Sequence, residues 1–250
     1  MTQNIYDNPD FFSAYAALPR SREGLEGAPE WPSVRALLPP MRGLRVLDLG
    51  CGYGWFCRWA REAGAASITG VDVSAMMLAR AAELAGDPAV TYLRADLETF
   101  APSGTFDLAY SSLALHYVVD LGRLFAAVNG ALAPGGAFVF TAEHPLFTAP
   151  RRPGWVRDAE GRATWPIDSY LIEGPRVTDW LAPDVVKQHR TIGTLLTVLL
   201  RAGFVIGHVE EWGPTDAQVA ERPALAAERD RPTFLIVAAH KPPNGTIERQ

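Results

Sequence analysis

The amino-acid sequence predicts an α/β protein in which a mostly parallel sheet carries helices on both faces. Over residues 44–143, short apolar runs of strand character alternate with helices of about ten residues, the pattern of successive βαβ units. A glycine-rich turn follows the first apolar run, as it does in nucleotide-binding sheets. The hydrophobic fraction of 48% and the charged fraction of 20% are ordinary for a globular chain.

The composition argues against several classes of protein. The 250 residues include 23 basic and 28 acidic side chains, a net charge of −5, so the chain lacks the basic excess that a sequence-independent nucleic-acid surface needs. Its two cysteines, Cys51 and Cys57, provide neither a disulfide framework nor a CxxC zinc site. The sequence has no secretion-signal pattern and no apolar run of about 18 residues. We therefore expect a cytoplasmic protein that does not bind membranes.

Each element follows from its apolar pattern and its flanking residues. Strands are predicted, in chain order, at 44–50, 67–73, 90–96, 106–112, 137–143, 204–212 and 231–240. Helices are predicted at 10–18, 31–38, 55–63, after the N-cap residue Ser74, and at 121–132 and 191–202. A turn at Ala133-Pro134-Gly135-Gly136 separates the helix at 121–132 from the fifth strand. Residues 144–190 interrupt this order with a segment rich in proline and tryptophan, which is too aromatic to be a disordered loop.

The first sign of chemistry is the turn after the first strand. Gly50, Gly52 and Gly54 form a G-x-G-x-G sequence, and glycines there let the backbone approach a ligand closely in front of a helix N-terminus. Trp55 takes the place of the third glycine of the dinucleotide fingerprint G-x-G-x-x-G. Taken alone, the turn is also consistent with a purely structural role.

Three carboxylates accompany this turn. Asp48 precedes the first glycine, Asp72 closes the second strand and Asp96 closes the third. The carboxyl ends of these strands meet at one edge of the sheet, where Asp72 can accept hydrogen bonds from a ribose diol and Asp96 suits an adenine amino group. Asp72 or Asp96 alone is more simply an N-cap or a loop carboxylate. Three together beside a glycine turn favour a ligand site.

Five segments of the chain, taken in order, resemble the motifs of the class I S-adenosylmethionine-dependent methyltransferases. They read VLDLGCGYG (46–54), GVDVS (70–74), RADLE (94–98), FDLAYSSLALHYV (106–118) and LAPGGAFVF (132–140). They are most similar to the small-molecule enzymes related to ubiquinone and menaquinone biosynthesis. The resemblance implies a Rossmann-like, mostly parallel sheet of seven strands in the order 3-2-1-4-5-7-6, with strand seven antiparallel. It also implies S-adenosylmethionine as the cofactor, without a metal.

The resemblance assigns cofactor contacts to matching residues of this chain. Those that would surround the methionine moiety are Asp48, Gly50, Cys51, Gly52 and Gly54. Those that would meet the ribose and adenine are Asp72, Val73, Met77, Asp96 and Leu97. Ser111 and Ser112 would lie on the side of the methyl group, and Tyr6 or Tyr15 would cover the cofactor.

These assignments define a single domain over residues 1–240. It comprises an N-terminal lid (1–43), a cofactor-binding half (44–143), an acceptor-site insertion (144–190), and a closing helix and strands (191–240). A polar tail (241–250) follows.

Methyl transfer from a sulfonium is an in-line displacement, for which a protein mainly supplies alignment and exclusion of water. A base is needed only where the acceptor must lose a proton. The candidates are His144, His189 and His116, although a structural hydrogen bond is the commoner role of any single histidine. Arg20, Arg22 and Arg190 are candidates for pairing with an anionic acceptor, against a more ordinary surface role.

The expected acceptor is a small planar or apolar molecule, bound among aromatic residues of the lid and the insertion. Nucleic acid is not expected, because Ser111-Ser112-Leu113-Ala114 stands where amino-methylating nucleic-acid enzymes carry a Pro-Pro-aromatic motif. Transfer to oxygen, nitrogen or carbon stays open, as does a monomer or a homodimer. The alternatives are a non-catalytic protein that binds S-adenosylmethionine, a nicotinamide-dependent oxidoreductase, and a protein methyltransferase.

Overall fold

A seven-stranded sheet lies at the centre of the molecule, in a computed structural model that describes residues 3–243. In chain order the strands are β1 (Arg45–Leu49), β2 (Ser67–Asp72), β3 (Val90–Arg94), β4 (Phe106–Ser112), β5 (Leu132–Glu143), β6 (Val156–Arg157), β7 (Ala163–Thr164), β8 (Gly174–Trp180), β9 (Ala182–His189), β10 (Val205–Trp212) and β11 (Phe234–His240). The α-helices are α1 (Pro9–Ala16), α2 (Pro19–Arg22), α3 (Trp31–Leu37), α4 (Trp55–Glu62), α5 (Ala75–Leu84), α6 (Leu121–Ala131), α7 (Pro145–Thr148), α8 (Ile192–Arg201) and α9 (Asp216–Glu221).

The central sheet has the order β10-β11-β5-β4-β1-β2-β3. Strands β1 to β5 run parallel to one another, and β11 is antiparallel to both β5 and β10. Counted within this sheet alone, β10 is the sixth strand and β11 the seventh. The predicted order 3-2-1-4-5-7-6, with an antiparallel seventh strand, is therefore confirmed.

Both faces of the sheet are covered by helices, as predicted. Side chains alternate between faces along each strand, so Leu47 and Leu49 join a core with α6 and α8. Val46 joins the opposite core, with Trp31 of α3 and Phe56 of α4. The neighbouring Asp48 is only 2% exposed. The sheet thus carries one carboxylic acid inside an apolar layer.

The predicted turn before the fifth strand is wrong in one respect. Strand β5 runs unbroken through Pro134 to Gly136, and Phe106 pairs with Leu132 while Leu108 pairs with Ala137. The extra residues form an irregularity inside the strand, because Gly135 adopts φ +79° and bonds the backbone of Lys241 (N to O, 2.9 Å). Lys241 belongs to the predicted tail, of which residues 244–250 lie outside the described range.

The insertion between β5 and α8 is built mainly of two hairpins, β6–β7 and β8–β9. Its proline content hides the two-residue alternation by which such strands are normally recognised. The buried Arg176 holds the segment together through its guanidinium, which donates to the carbonyl oxygens of Ala149, Ser169 and Ile172. Helix α9 and the 3-10 helix Pro223–Arg229, which lie between β10 and β11, were not predicted. Within residues 3–243, no helix is long and apolar enough to cross a membrane.

Candidate active site

A cavity of about 330 Å³ lies at the carboxyl ends of the parallel strands. Strand order reverses at β1, between β2 and β4, and ligands of open α/β sheets bind at such switch points. The predicted cofactor residues that line the cavity are Tyr6, Tyr15, Asp48, Gly50, Cys51, Gly52, Asp72, Val73, Met77, Asp96, Leu97 and Ser112. Their contacts with a cofactor stay predictions.

Gly54 and Ser111 are not among the lining residues that the structure describes. Gly54 is the N-cap of α4 at φ +68°, and a Cβ there would lie 2.1 Å from the Tyr92 hydroxyl oxygen. The Ser111 hydroxyl donates to the carbonyl oxygen of Leu49 (2.8 Å). In the structure both residues shape the strand ends behind the cavity wall.

The glycine loop approaches the cavity with backbone conformations that suit glycine. Gly50 has φ +76° and Gly52 has φ +51°, a region that costs other residues about 1–2 kcal/mol. A Cβ on Gly50 would lie 2.3 Å from that of Ala114, whereas a Cβ on Gly52 would meet no atom within 4 Å. Gly50 is thus required by packing, and Gly52 leaves space that a ligand can enter.

Asp72 connects the glycine loop to the start of α5. Its two carboxylate oxygens accept hydrogen bonds from the amides of Gly52 and Ser74, each 2.9 Å long. Burial raises the pKa of Asp72, and these amide hydrogen bonds oppose that rise. A carboxylate oxygen can accept more than one hydrogen bond, so Asp72 can still accept hydrogen bonds from a ligand in the cavity that it lines.

Asp48 lies beneath the glycine loop in apolar surroundings. Burial raises its pKa to about 7, although the Cys57 thiol donates a hydrogen bond to it (Sγ to Oδ2, 3.2 Å). Desolvation penalises the charged form of a carboxylic acid, and a nearby cation favours it. Asp48 is therefore close to half-protonated at neutral pH and would ionise more fully beside a positively charged ligand.

Three side chains in the first part of the lid form hydrogen bonds with the rest of the molecule. Gln3 bonds the backbone of β9, where its side chain accepts from the Val186 amide (2.9 Å) and donates to the Asp184 carbonyl oxygen (2.8 Å). The hydroxyl groups of Tyr6 and Tyr117 are 3.2 Å apart. The third attachment is Asp7, which accepts hydrogen bonds from the Ser74 hydroxyl (2.5 Å) and the Met76 amide (3.1 Å) at the start of α5.

The three candidate histidines occupy different places. His144 bonds Glu211 through Nε2 (2.8 Å) and accepts from the Leu146 amide at Nδ1 (3.1 Å). His189 bonds the Thr148 hydroxyl through Nδ1 and the Tyr170 carbonyl oxygen through Nε2, both at 2.8 Å. Neither His144 nor His189 is among the described residues that line the cavity. Their ring nitrogens bond residues of α7, the insertion and β10.

His116 does line the cavity. It is 6% exposed, and its Nδ1 has no hydrogen-bond partner among residues 3–243. Burial lowers the pKa of His116 to about 4, so the imidazole is neutral at physiological pH. Of the three candidates, His116 is the one that lines the cavity and has a buried ring nitrogen without a partner in the described part of the chain.

Two further residues of the site were not predicted. Glu143, at the end of β5, lines the cavity and accepts a 2.5 Å hydrogen bond from the Lys187 ammonium of β9. The Lys187 ammonium also lies 4.7 Å from the ring centre of Trp180. Glu143 was within reach of sequence analysis, because it ends a parallel strand as Asp72 does. Lys187 was not, because nothing in the sequence pairs β9 with β5.

Two of the three candidate arginines have protein partners. Arg20 lines the cavity and bonds Glu30 at 3.0 and 3.3 Å. Arg190 donates to the carbonyl oxygens of Val118 (2.5 Å) and Val119 (2.7 Å). Arg22 is exposed and is not one of the described lining residues. Among the described residues that line the cavity, the one candidate arginine is therefore paired with a carboxylate.

The aromatic residues of the insertion divide into two groups. Trp180 and Phe147 line the cavity. Trp155 and Trp165 pack against each other, with ring centres 5.5 Å apart, and the Arg231 guanidinium lies 4.5 Å from the ring centre of Trp165. The insertion thus contributes both a satellite core and part of the cavity wall.

The sheet, its glycine loop and its strand-end carboxylates define a nucleoside-cofactor-binding α/β enzyme. Residues 47–140 match a protein family described as a methyltransferase domain. An S-adenosylmethionine-dependent methyltransferase from Mesorhizobium loti is 61% identical in sequence and superposes with a TM-score of 0.83, over 87% of this chain and 100% of that one. The chain belongs to the family of S-adenosylmethionine-dependent methyltransferases.

Two of the curated relatives with a named activity match only part of this chain. A malonyl-[acyl-carrier protein] O-methyltransferase from Pectobacterium atrosepticum is 40% identical over 106 residues, which are 42% of this chain and 41% of the relative. A tRNA U34 carboxymethyltransferase from Methylococcus capsulatus is 28% identical over 168 residues, 65% of this chain and 51% of the relative. The chain thus spans about half, or less, of the length of these two relatives.

The residues at the cavity fit S-adenosylmethionine. The space beside Gly52 is open to a ligand atom. The carboxyl group of the buried Asp48 suits the positive charge of the sulfonium. Asp72 offers an acceptor for the ribose hydroxyls of the cofactor.

Proposed function

We propose that this protein transfers the methyl group of S-adenosylmethionine to oxygen, nitrogen or carbon of a small planar or apolar molecule. The observation that carries the proposal is one cavity lined by two unlike sets of residues. The glycine loop and the strand-end aspartates form the first set. Tyr6, Tyr15 and Trp180, from the lid and the insertion, belong to the second.

The two sets of residues suggest separate roles in binding the cofactor and in excluding water. We propose that Asp48, Asp72 and the glycine loop hold the cofactor, which when bound supplies an electrophilic methyl group on sulfur. The lid then excludes water, since Tyr6 meets Tyr117 and packs edge-on against Phe11 (4.9 Å between ring centres). Alignment and desolvation are the main contributions that such a displacement needs.

A small molecule is favoured over nucleic acid as the acceptor. The relatives differ on this point, since one modifies tRNA and another an acyl group on a carrier protein. The cavity is roofed by the lid and the insertion, and the chain carries a net charge of −5. An enclosed apolar site suits a small ligand, and the net charge disfavours a polyanion. We further propose a metal-free reaction in the cytoplasm, by a monomer or a homodimer.

Calorimetric titration tests the cofactor assignment, and label transfer tests the acceptor class. We expect S-adenosylmethionine and S-adenosylhomocysteine to bind and NAD not to bind. Incubation with methyl-labelled cofactor and a cell extract should place the label in solvent-extractable small molecules. NAD binding without the sulfonium ligand would contradict the assignment of the cofactor. Label confined to tRNA or protein would contradict the class of acceptor.

A further inference from the structure

One part of the cavity contains an ion pair in which one oxygen of the carboxylate has no described hydrogen-bond partner. This region, here called the acceptor end, is formed by Tyr6, His116, Tyr117, Glu143, Phe147 and Trp180. The Glu143 side chain is 11% exposed and that of Lys187 is 5% exposed. Lys187 occupies Oε1 of Glu143, whereas the buried Oε2 has no partner among residues 3–243. An unpaired buried carboxylate oxygen is costly, so this atom calls for a donor from a ligand.

A second unpaired polar atom lies at the same end. His116 Nδ1 is buried without a partner in the described part of the chain, and His116 is close enough to Glu143 and Lys187 to interact with their charges. A neutral imidazole nitrogen either donates or accepts a hydrogen bond. A ligand group that satisfies both atoms must donate to Glu143 and can accept from His116.

The charged groups around Glu143 balance one another. Lys187 faces it from β9, while His116 and Tyr117 face it from the turn after β4. Arg231 faces it from the segment before β11, and that guanidinium is paired with Glu228 at 2.8 Å. His116 is neutral and Lys187 is already matched by Glu143. Among the described residues, the charges that face Glu143 therefore cancel in pairs.

We propose that the acceptor end binds a neutral planar molecule through a hydroxyl group, and that Glu143 is the base that removes the hydroxyl proton. The hydroxyl donates to Glu143 Oε2 and accepts from His116 Nδ1, and its ring packs against the aromatic side chains of the acceptor end. This inference rests on the proposed function and specifies its acceptor as a phenol or enol. Lys187 acts as a positioning residue that fixes the direction of the Glu143 carboxylate.

Other acceptor chemistries fit less well. A carboxylate has no proton to donate and would be repelled by Glu143. An ammonium would bring a second cation next to Lys187, in a cavity whose cofactor is itself positively charged. A hydroxyl group meets both unpaired atoms without adding charge.

The transfer step balances with this assignment. The acceptor oxygen forms a bond to the methyl carbon while the carbon–sulfur bond breaks, and the sulfur keeps that electron pair. The hydroxyl proton passes to Glu143 Oε2, and it is released to solvent when the lid opens. No oxidant, reductant or metal is required.

A binding experiment tests the assignment without turnover. With S-adenosylhomocysteine present, 2-naphthol, 2-naphthoate and 2-naphthylmethylammonium are titrated against the full chain and followed by calorimetry. We expect 2-naphthol to bind most tightly and Glu143→Gln to weaken it by about tenfold or more. Glu83→Gln, an exposed glutamate on α5, should leave its binding unchanged. A preference for either charged probe, no 2-naphthol binding, or equal binding to Glu143→Gln would overturn the proposal.

Two controls distinguish a failure of this proposal from a failure of the proposed function. S-adenosylhomocysteine should bind the wild type and Glu143→Gln equally, because Glu143 lies outside the glycine loop. Failure to bind the wild type would reject the proposed function itself. If Glu143→Gln fails to bind S-adenosylhomocysteine and the wild type binds it, the 2-naphthol titration is repeated with His116→Asn. That variant removes the other proposed partner of the hydroxyl group. Unchanged 2-naphthol binding in that variant would overturn the proposal.

A pH profile distinguishes a base from a residue that only binds. Below the pKa of the free phenol, kcat/KM for 2-naphthol methylation should rise about tenfold per pH unit in Glu143→Gln, because the acceptor must then ionise in solution. The wild type should show a flatter profile. Parallel profiles in the two proteins would overturn the role of Glu143 as base.

Discussion

The backbone amide of Gly52 donates a 2.9 Å hydrogen bond to the carboxylate of Asp72, and this contact joins the glycine loop after β1 to the end of β2. The other oxygen of Asp72 accepts from the Ser74 amide, at the start of α5. One carboxylate thus orders three segments of the cofactor-binding half while facing the cavity.

We predict that Asp72→Asn weakens S-adenosylhomocysteine binding by about 1–3 kcal/mol. The amide group keeps the volume of the carboxylate but loses the charge and one acceptor oxygen. Titration calorimetry measures the change. The matched control is Asp107→Asn, since Asp107 pairs with Arg45 at 2.8 Å at the opposite end of β4. If both variants bind with wild-type affinity, Asp72 does not bind the ribose.

The two glycines of the loop should respond differently to alanine. Gly50→Ala places a methyl group against Ala114, so we predict a loss of stability of about 2–4 kcal/mol from backbone strain and overpacking. Gly52→Ala should lose only about 1–2 kcal/mol from backbone strain, yet bind S-adenosylhomocysteine weakly, because its methyl group enters the cavity. Denaturant unfolding and calorimetry measure the two effects.

Gly104→Ala is the control for backbone strain alone. Gly104 has φ +96°, and a Cβ there would meet nothing within 4 Å. Its alanine variant should lose some stability and keep full affinity. Weak cofactor binding in Gly104→Ala would show that the effect at Gly52 is not local.

Cofactor affinity should depend on the protonation of Asp48. Burial raises the pKa of Asp48 to about 7, and a positively charged ligand favours the carboxylate. We therefore predict that affinity for S-adenosylmethionine increases as pH rises from 6 to 8, by up to about tenfold. Calorimetry on Asp48→Asn supplies the control, because that variant keeps only the titration of the ligand. Identical pH dependence in both proteins would contradict the prediction.

Asp48 has the opposite effect on the stability of the ligand-free protein, which should fall as pH rises. Since the folded pKa lies above the unfolded one, the folded state binds more protons between these two values. Its contribution to stability is complete below the unfolded pKa, and it is lost as pH rises through about 7. Denaturant unfolding of the free protein at several pH values should therefore show a decline that Asp48→Asn lacks.

The lid should loosen when Asp7 is removed. Burial raises the pKa of Asp7, but hydrogen bonds from Ser74, Met76 and Asn4 outweigh it and hold the pKa below its usual value. We predict that Asp7→Ala accelerates dissociation of S-adenosylhomocysteine by roughly fivefold, for a loss of about 1 kcal/mol. Stopped-flow fluorescence measures the rate. Asp10→Ala, an exposed position on α1, should dissociate at the wild-type rate, and equal rates in both variants would exclude Asp7 as an anchor.

The cofactor-binding half was predictable because its signals are local. The run FDLAYSS coincides with β4 (Phe106–Ser112), since buried parallel strands are continuous apolar runs. Strand-end aspartates and glycines adjoin those runs in sequence. Parallel pairing then brings the strand ends together, and Asp48, Asp72 and Asp96 do line one cavity.

The acceptor end was less predictable because its contacts are distant in sequence. His144 and His189 were predicted as candidate bases, but partners from the insertion and from β10 occupy their ring nitrogens. The ion pair of Glu143 and Lys187 spans 44 residues and depends on how a proline-rich hairpin docks. Local propensity does not encode such docking.

The attachments of the lid have a consequence for ligand exchange. Gln3, Tyr6 and Asp7 fasten the roof of the cavity to three separate parts of the molecule, and all three lie within five consecutive residues. A protease cut just after Asp7 would therefore separate all three attachments from the rest of the lid, which would keep its bonds to the body of the protein at Pro29 and Ser33. We expect such a cut to speed ligand exchange and to leave the central sheet intact.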